Sequence, residues 1–216
     1  MYRGRLITFE GVEGAGKSTQ VLRAAAALES CGYHVVMARE PGGTRVGEVV
    51  RALLLERVAI EMAPAAEMFL YLAARSQLVA EIIRPALEDG HVVLLDRYID
   101  STLAYQGYGL QLDLGGEDLP ANIGRMRALN DVAAGGLWPN VTILLDVDPA
   151  AGLARRPGAT PDRIEARDLE YHRRVRAGFL ALAAAEPVRI KVIDAGRSIR
   201  EVAAAVGAVL QDSLGA

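Results

Sequence analysis

Gly11-Val12-Glu13-Gly14-Ala15-Gly16-Lys17-Ser18 fits the spacing G-x-x-x-x-G-K-[ST]. In a loop of that pattern glycines let backbone N–H groups turn inward around phosphate oxygens. The N-terminus of a following helix adds its positive pole to the same anion site. Gly11, Val12, Glu13, Gly14, Ala15, Gly16, Lys17, Ser18 and Thr19 are therefore the expected ATP-binding set. Lys17 would reach the β- and γ-phosphates, and the Ser18 hydroxyl would ligate Mg²⁺. A second group is Asp96-Arg97-Tyr98, followed by Ser101, Thr102, Tyr105 and Gln106. Asp96 would hold the hydration shell of Mg²⁺, while Arg97 would fork onto a second phosphate. A third is 155–163, where Arg155, Arg156 and Arg163 share a short stretch with one glycine and two prolines. That composition suits a mobile lid over 155–164 that closes on ATP and excludes water.

These groups need a frame that brings them together. Apolar, β-branched runs at Leu6–Glu10, Tyr33–Ala38, Val92–Asp96, Val141–Val147 and Val188–Asp194 read as five strands. They are apolar nearly throughout, as expected for a parallel sheet covered on both faces. Helical patterns fill 18–31, 45–56, 64–89, 117–135, 165–186 and 198–213, long enough for right-handed crossovers. The Arg84-Pro85 step should bend or interrupt the third of these. The expected fold is α/β, a P-loop NTPase-type three-layer sandwich with a five-stranded parallel sheet, forming one domain over 1–216. Glu10, Asp96, Asp146 and Asp194 fall at carboxyl ends of strands, where ligands bind in open parallel sheets. Asp96, next to Arg97, is expected to be functional; Asp146 and Asp194 are expected to be caps or loop anchors.

Of 216 residues, 51% are hydrophobic and 24% charged, which suits one soluble α/β domain. The net charge of −3 argues against a protein built for duplex nucleic acid. No apolar run approaches the roughly 18 residues of a membrane span, so no membrane partner is expected. A strand begins almost at the first residue, leaving no room for a signal peptide. A single cysteine, Cys31, allows no intramolecular disulfide and fits a reducing, cytoplasmic location.

A phosphate loop alone leaves ATPases, GTPases and kinases open, and the chain has no Asn-Lys-x-Asp guanine reader. Over nearly its whole length it resembles the thymidylate kinase family, bacterial type with arginines in the lid. The resemblance rests on FEGVEGAGKST, REPGGT at 39–44, Tyr71-Leu72-Ala73-Ala74-Arg75, DRYIDSTLAYQG, DRIE at 162–165 and the closing VIDAG. It implies transfer of the γ-phosphoryl of ATP to dTMP, with Mg²⁺, in a homodimer. By resemblance Tyr71 stacks on thymine, where the family mostly has Phe, and Arg75 bonds a base carbonyl. Glu13 accepts from the sugar 3′-hydroxyl, and Tyr105 crowds C2′ and favours deoxyribose. Thr102 and Gln106 contact the base or nearby waters, while Arg51 and Arg97 orient the acceptor phosphate. Glu10 lies near the metal and that phosphate; Ser101 and the 39–44 turn shape the pocket. The phosphate loop carries no basic residue at its variable positions, so Arg155, Arg156 or Arg163 supplies the further catalytic charge beside Lys17 and Arg97. The Asp194-Ala195-Gly196 loop would line the adenine site. Another pyrimidine nucleoside monophosphate kinase, or a non-catalytic ATP-dependent switch, are the competing readings.

Overall fold

The computed structural model describes residues 3–55, 61–155 and 161–215. Five strands form one parallel sheet: β1 Arg5–Glu10, β2 Val35–Arg39, β3 Val92–Asp96, β4 Val141–Asp146 and β5 Ile190–Asp194, in the order β2-β3-β1-β4-β5. β1 lies at the centre, buried from Leu6 to Glu10. Its neighbours β3 and β4 are equally apolar, because helices cover both faces. One layer pairs α1 (Lys17–Ser30) with α9 (Ile199–Leu214); the other includes α8 (Leu169–Ala185) and the helical stretch 99–109.

The five strands and six long helices expected from the pattern are present, with ends displaced by a few residues. α2 covers Arg45–Leu55 and α6 Leu119–Ala134, the latter capped by Asp118 accepting from the Ala121 N–H. α3 (Pro64–Leu78) runs on through a wider π turn at Val79–Ile83 into α4 (Arg84–Glu88). The interruption thus sits just before Pro85, which has no N–H to continue the ladder. The α8 helix starts at Leu169, with Asp168 as cap, so 165–167 is a turn where a helix is expected.

Two helical pieces are not visible in the pattern. α7 (Pro149–Ala154) is short, with Pro149 in its first turn and Asp148 capping the Ala150 and Ala151 N–H groups. The other is α5 (Ile99–Thr102), which widens into a π segment over Leu103–Gly109. Its glycines and closely spaced tyrosines hide the helical period, yet this segment carries Tyr105 and Gln106. Arg189 anchors it to the sheet by gripping Asp100 at 2.7 and 2.8 Å, and Thr142 donates to the same carboxylate at 3.0 Å. No described helix is long and apolar enough to cross a membrane.

Candidate active site

β1 ends at Glu10 and the chain turns through 11–16 into α1, so the phosphate loop sits at the carboxyl edge of the central strand. Gly14 adopts φ +69°, and a Cβ there would stand 1.8 Å from the Gly152 carbonyl oxygen. A Cβ on Gly152 would likewise lie 2.3 Å from the Glu13 oxygen. Two glycines distant in sequence thus let α7, which precedes the segment expected to form a lid, press directly on the loop. Lys17 folds back over the loop, donating to the Gly11 and Val12 carbonyls at 3.0 Å each. Burial, helped by the nearby Arg97 charge, lowers its ammonium to about 8.

β3 pairs with β1 in a register that sets Asp96 beside Phe9. Ser18 Oγ donates to Asp96 Oδ2 at 2.6 Å, joining the two expected metal-binding residues. Arg97 follows with φ +73°, a left-handed conformation that costs a non-glycine residue about 1–3 kcal/mol. That turn aims its guanidinium back at the loop: it donates to the Gly11 carbonyl at 3.1 Å and to Glu13 Oε1 at 3.1 Å, and it lies 4.9 Å from the Tyr105 ring centre. Tyr105 Oη donates to the same Glu13 oxygen at 2.6 Å, while His172 Nδ1 stands 3.2 Å from Oε2. Burial opposes charge on Glu13, but His172, Arg97, Lys17 and Tyr105 outweigh it and hold the carboxyl well below its ordinary range. Burial likewise opposes charge on Arg97, and its acidic and aromatic neighbours more than restore it.

The far wall is built around Arg75, which is 1% exposed. Glu40 grips it through Nε and Nη2 at 2.9 and 2.6 Å. Nη1 donates to Thr102 Oγ1 at 2.9 Å and to Asn130 Oδ1; Nη2 also reaches the Tyr98 carbonyl at 3.0 Å. All five N–H donors are thereby engaged. Tyr71, one turn earlier on α3, lines the same cleft, and burial together with Glu67 pushes its hydroxyl up, so the ring stays neutral. Arg51 donates to the Pro41 carbonyl at 2.8 Å, and Gln106 donates from Nε2 to Glu67 Oε1 at 2.8 Å.

A single cleft of about 890 Å³ unites most of the expected residues. Its walls include Glu13, Gly14, Ala15, Gly16, Lys17, Ser18 and Thr19 at one end, Asp96 and Arg97 between, and Arg51, Tyr71, Arg75, Ser101, Thr102, Tyr105 and Gln106 at the other. Gly11 and Val12 stand behind, supplying carbonyls to Lys17. Arg155 lies on the loop end, donating to the Gly14 and Ala195 carbonyls at 3.3 and 2.9 Å. Two more expected residues are placed off the cleft wall. Glu10 is fully buried, accepting from the Tyr98 N–H at 2.8 Å and from the Ser101 N–H and Oγ at 3.2 and 2.6 Å. Burial and Asp100 push its carboxyl up to about 7. Arg163 instead pairs with Glu67 at 2.8 Å and donates to the Leu54 carbonyl. Arg156 lies outside the described residues. Asp146 is a loop anchor, held by Arg176 at 2.6 and 2.8 Å, and Asp194 accepts from the Gly196 N–H.

Sequence reasoning missed Glu40, Glu67, Gly152, Arg167 and His172. Glu67 had a signal: it precedes Tyr71 by four residues and Arg75 by eight, on one helical face. Glu40 lies inside the 39–44 motif. His172 and Arg167 reach the site only through the packing of distant segments, and nothing local marks them.

Ser18 and Asp96 offer one hydroxyl and one carboxylate, and no group of three or more His, Cys, Asp or Glu is placed for a metal among the described residues. This sparse donor set fits Mg²⁺, which keeps several waters and takes further oxygens from substrate phosphates.

A phosphate loop at the carboxyl edge of a parallel sheet, facing a polar wall across one cleft, defines a P-loop phosphotransferase of the nucleotide kinase type. The family model for thymidylate kinase matches residues 9–206. The chain belongs to the thymidylate kinase family. It is 51% identical to a thymidylate kinase of Solidesulfovibrio magneticus, over 94% of this chain and 97% of the relative. With that of Deinococcus radiodurans it shares 50% identity over 98% of both chains. The crystal structure of thymidylate kinase from Ehrlichia chaffeensis superposes with a TM-score of 0.77 at 34% identity, covering 96% of this chain and 98% of that one.

Proposed function

We propose that this chain moves the γ-phosphoryl of ATP onto the phosphate of dTMP by direct in-line transfer, giving dTDP and ADP. The observation that carries the reading is the single cleft, with Lys17 and Ser18 at one end, Tyr71 and Gln106 at the other, and Arg97 between. No enzyme nucleophile is required, because the acceptor phosphate oxygen is already anionic at neutral pH. Catalysis then consists of positioning and of charge placed where the transition state needs it. Lys17 holds the donor phosphates. Arg97, fixed by Glu13 and the Gly11 carbonyl, orients the acceptor phosphate with Arg51. Ser18 and Asp96 would hold Mg²⁺, which supplies charge neutralisation between the donor phosphates.

Tyr71 provides a neutral face for the base, and Tyr105 with Glu13 borders the sugar. Arg75 has every donor already bonded, so it fixes the wall and reads a base carbonyl only by sharing a donor. Of the lid arginines described, Arg155 stands over the donor end and Arg163 is tied to Glu67. Val46, Val49 and Leu53 of α2 and Phe69 of α3 are exposed apolar residues, Val49 at 68%, and they support a homodimer through this face. A cytoplasmic site of action fits the chain's chemistry.

The test is ADP release by the purified protein with Mg²⁺ and ATP, offering dTMP, dUMP, ribothymidine monophosphate, CMP and AMP separately. Turnover is expected to be strongest with dTMP and much weaker with its ribonucleotide. Preference for another acceptor discards the thymine pocket, and silence with all five discards the kinase.

A further inference from the structure

Behind the base end of the cleft one buried carboxylate serves three partners. Glu67 is 1% exposed and is not on the cleft wall. Its Oε2 is shared by two guanidinium groups, Arg163 Nη2 at 2.8 Å and Arg167 Nη2 at 2.7 Å. Arg163 lies at the end of the 155–164 segment and Arg167 in the turn that follows it. Its Oε1 receives Gln106 Nε2 at 2.8 Å. A carboxylate between guanidinium groups accepts hydrogen bonds and donates none. The Gln106 side chain is therefore fixed in one of its two amide orientations, with the NH₂ turned to Glu67. Its Oε1 receives no hydrogen bond among the described residues, and Gln106 lines the cleft beside Tyr71 and Thr102.

We infer that Glu67 is a specificity-determining positioning residue: by fixing the Gln106 amide it makes the base end of the pocket a hydrogen-bond acceptor, selecting 4-oxo pyrimidines over cytosine. This rests on the thymidylate reading of the cleft. Thymine and uracil carry an N–H at ring position 3, which an amide oxygen accepts. Cytosine presents an unprotonated nitrogen there, and two acceptors then face each other with nothing between. A site built around a polar contact rejects a ligand that leaves it unpaired far better than an apolar pocket rejects a misfit. Arg163 and Arg167 hold Oε2, so Oε1 alone remains for the amide. The same carboxylate thus ties base reading to the end of the lid segment and the turn that follows it.

The decisive variant is Glu67→Gln. Its single carbonyl is drawn to the arginines, and its NH₂ then faces Gln106. The Gln106 amide is expected to flip, accept from that NH₂ and present its own NH₂ to the base. The KM for dTMP should rise about tenfold, in line with one hydrogen bond reversed. The ratio of kcat/KM for dTMP over dCMP should narrow tenfold or more, with the KM for ATP within about threefold of wild type. The exchanged pair Glu67→Gln with Gln106→Glu restores an acceptor toward the base and should recover most of that ratio. A merely structural role lowers activity on both nucleotides by the same factor and leaves the ratio alone. An unchanged ratio in Glu67→Gln overturns the inference. If that variant does not fold, the exchanged pair decides: a ratio near wild type upholds the inference and a collapsed one overturns it. Wild-type preference for an acceptor other than dTMP would instead remove the underlying reading, and it shows before any variant is made.

Discussion

The two ends of the cleft are made in different ways. The donor end is a contiguous loop whose geometry comes from its own glycines, and its lysine closes on carbonyls five and six residues away. The acceptor end is a knot of tertiary contacts. Arg75 bonds groups 35, 27 and 55 residues distant, and Glu13 meets Tyr105 across 92. The loop turns backbone N–H groups toward a ligand, whereas at the wall every donor of Arg75 is already taken by a neighbouring side chain or carbonyl. On the proposed function, the polyphosphate arm would meet an open cradle, and a flat base with a fixed pattern of donors would meet a rigid template. Rigidity lowers the ordering needed on binding and sharpens discrimination.

The largest expected effect breaks the template. Arg75→Met leaves Glu40, 5% exposed, as a buried charge without a partner. Removing one member of such a pair costs about 3–5 kcal/mol, or about 6–20 °C in Tm for a chain of this length. Thermal unfolding of the purified variant measures it. Arg75→Met with Glu40→Met should recover much of that stability, because packed apolar residues replace buried pairs well. It should not recover dTMP turnover. A stable, fully active double variant would show that the network is not a template at all.

At the donor end the expectation inverts: activity falls and stability holds. Lys17→Ala should lower kcat/KM about 10²–10³-fold, the loss seen when a preorganised electrostatic contact is removed. Its partners are two loop carbonyls, one of which also accepts from Arg97, so no charge is left unpaired and Tm should change little. Near-wild-type kcat/KM would remove Lys17 from the donor site. A drop in Tm as large as that of Arg75→Met would erase the distinction between the two ends.

That distinction also explains what the sequence could tell. Strand runs and the phosphate loop are local codes, a period of hydrophobicity and a spacing of glycines, and they placed the sheet and the loop between β1 and α1. Tyr71 and Arg75 were legible through the resemblance of the 71–75 segment to the family, and their spacing of four on α3 is consistent with one shared face. The partners of Arg75 were not, since Asn130 and Thr102 meet it only after α6 and the 99–109 helix dock. That helix was itself missed: its π turn breaks the 3.6-residue period while presenting Tyr105 and Gln106. Glu10 shows the opposite failure. An acidic residue at a strand end beside a phosphate loop looks like a ligand, but three donors from 98–101 turn it inward.

Glu10 and Glu13 sharpen the comparison through pH. They stand three residues apart on either side of the turn and are shifted in opposite directions. Glu10 is raised from 4.5 to about 7, so its contribution to stability is complete below pH 4.5 and is lost as pH rises toward 7. Glu13 is lowered, so its contribution is present above 4.5 and is lost as pH falls below that value. Glu10→Gln, which keeps an acceptor for the Tyr98 and Ser101 N–H groups, should flatten the decline between pH 4.5 and 7. Denaturant midpoints across that range measure it. An unaltered slope would mean that Glu10 is charged and solvated, back on the cleft wall.

The smallest effect concerns the lid. Arg155 spans the Gly14 and Ala195 carbonyls, the edge of the cleft where the donor nucleotide would lie, and it is largely solvent-facing. Arg163 is locked between Glu67 and the Leu54 carbonyl. Arg155→Ala should therefore raise the KM for ATP about tenfold, the value of one charge-assisted contact, with no change in Tm or in the KM for dTMP. Arg163→Ala should instead move the dTMP terms, because it loosens Glu67 and so Gln106. If kcat for Arg155→Ala fell by 10³ or more, Arg155 would rank as the arginine on the transferring phosphoryl group. The same fall in Arg163→Ala would require Arg163 to leave Glu67 during turnover, and the two ends of the cleft would then be joined by one moving side chain rather than built apart.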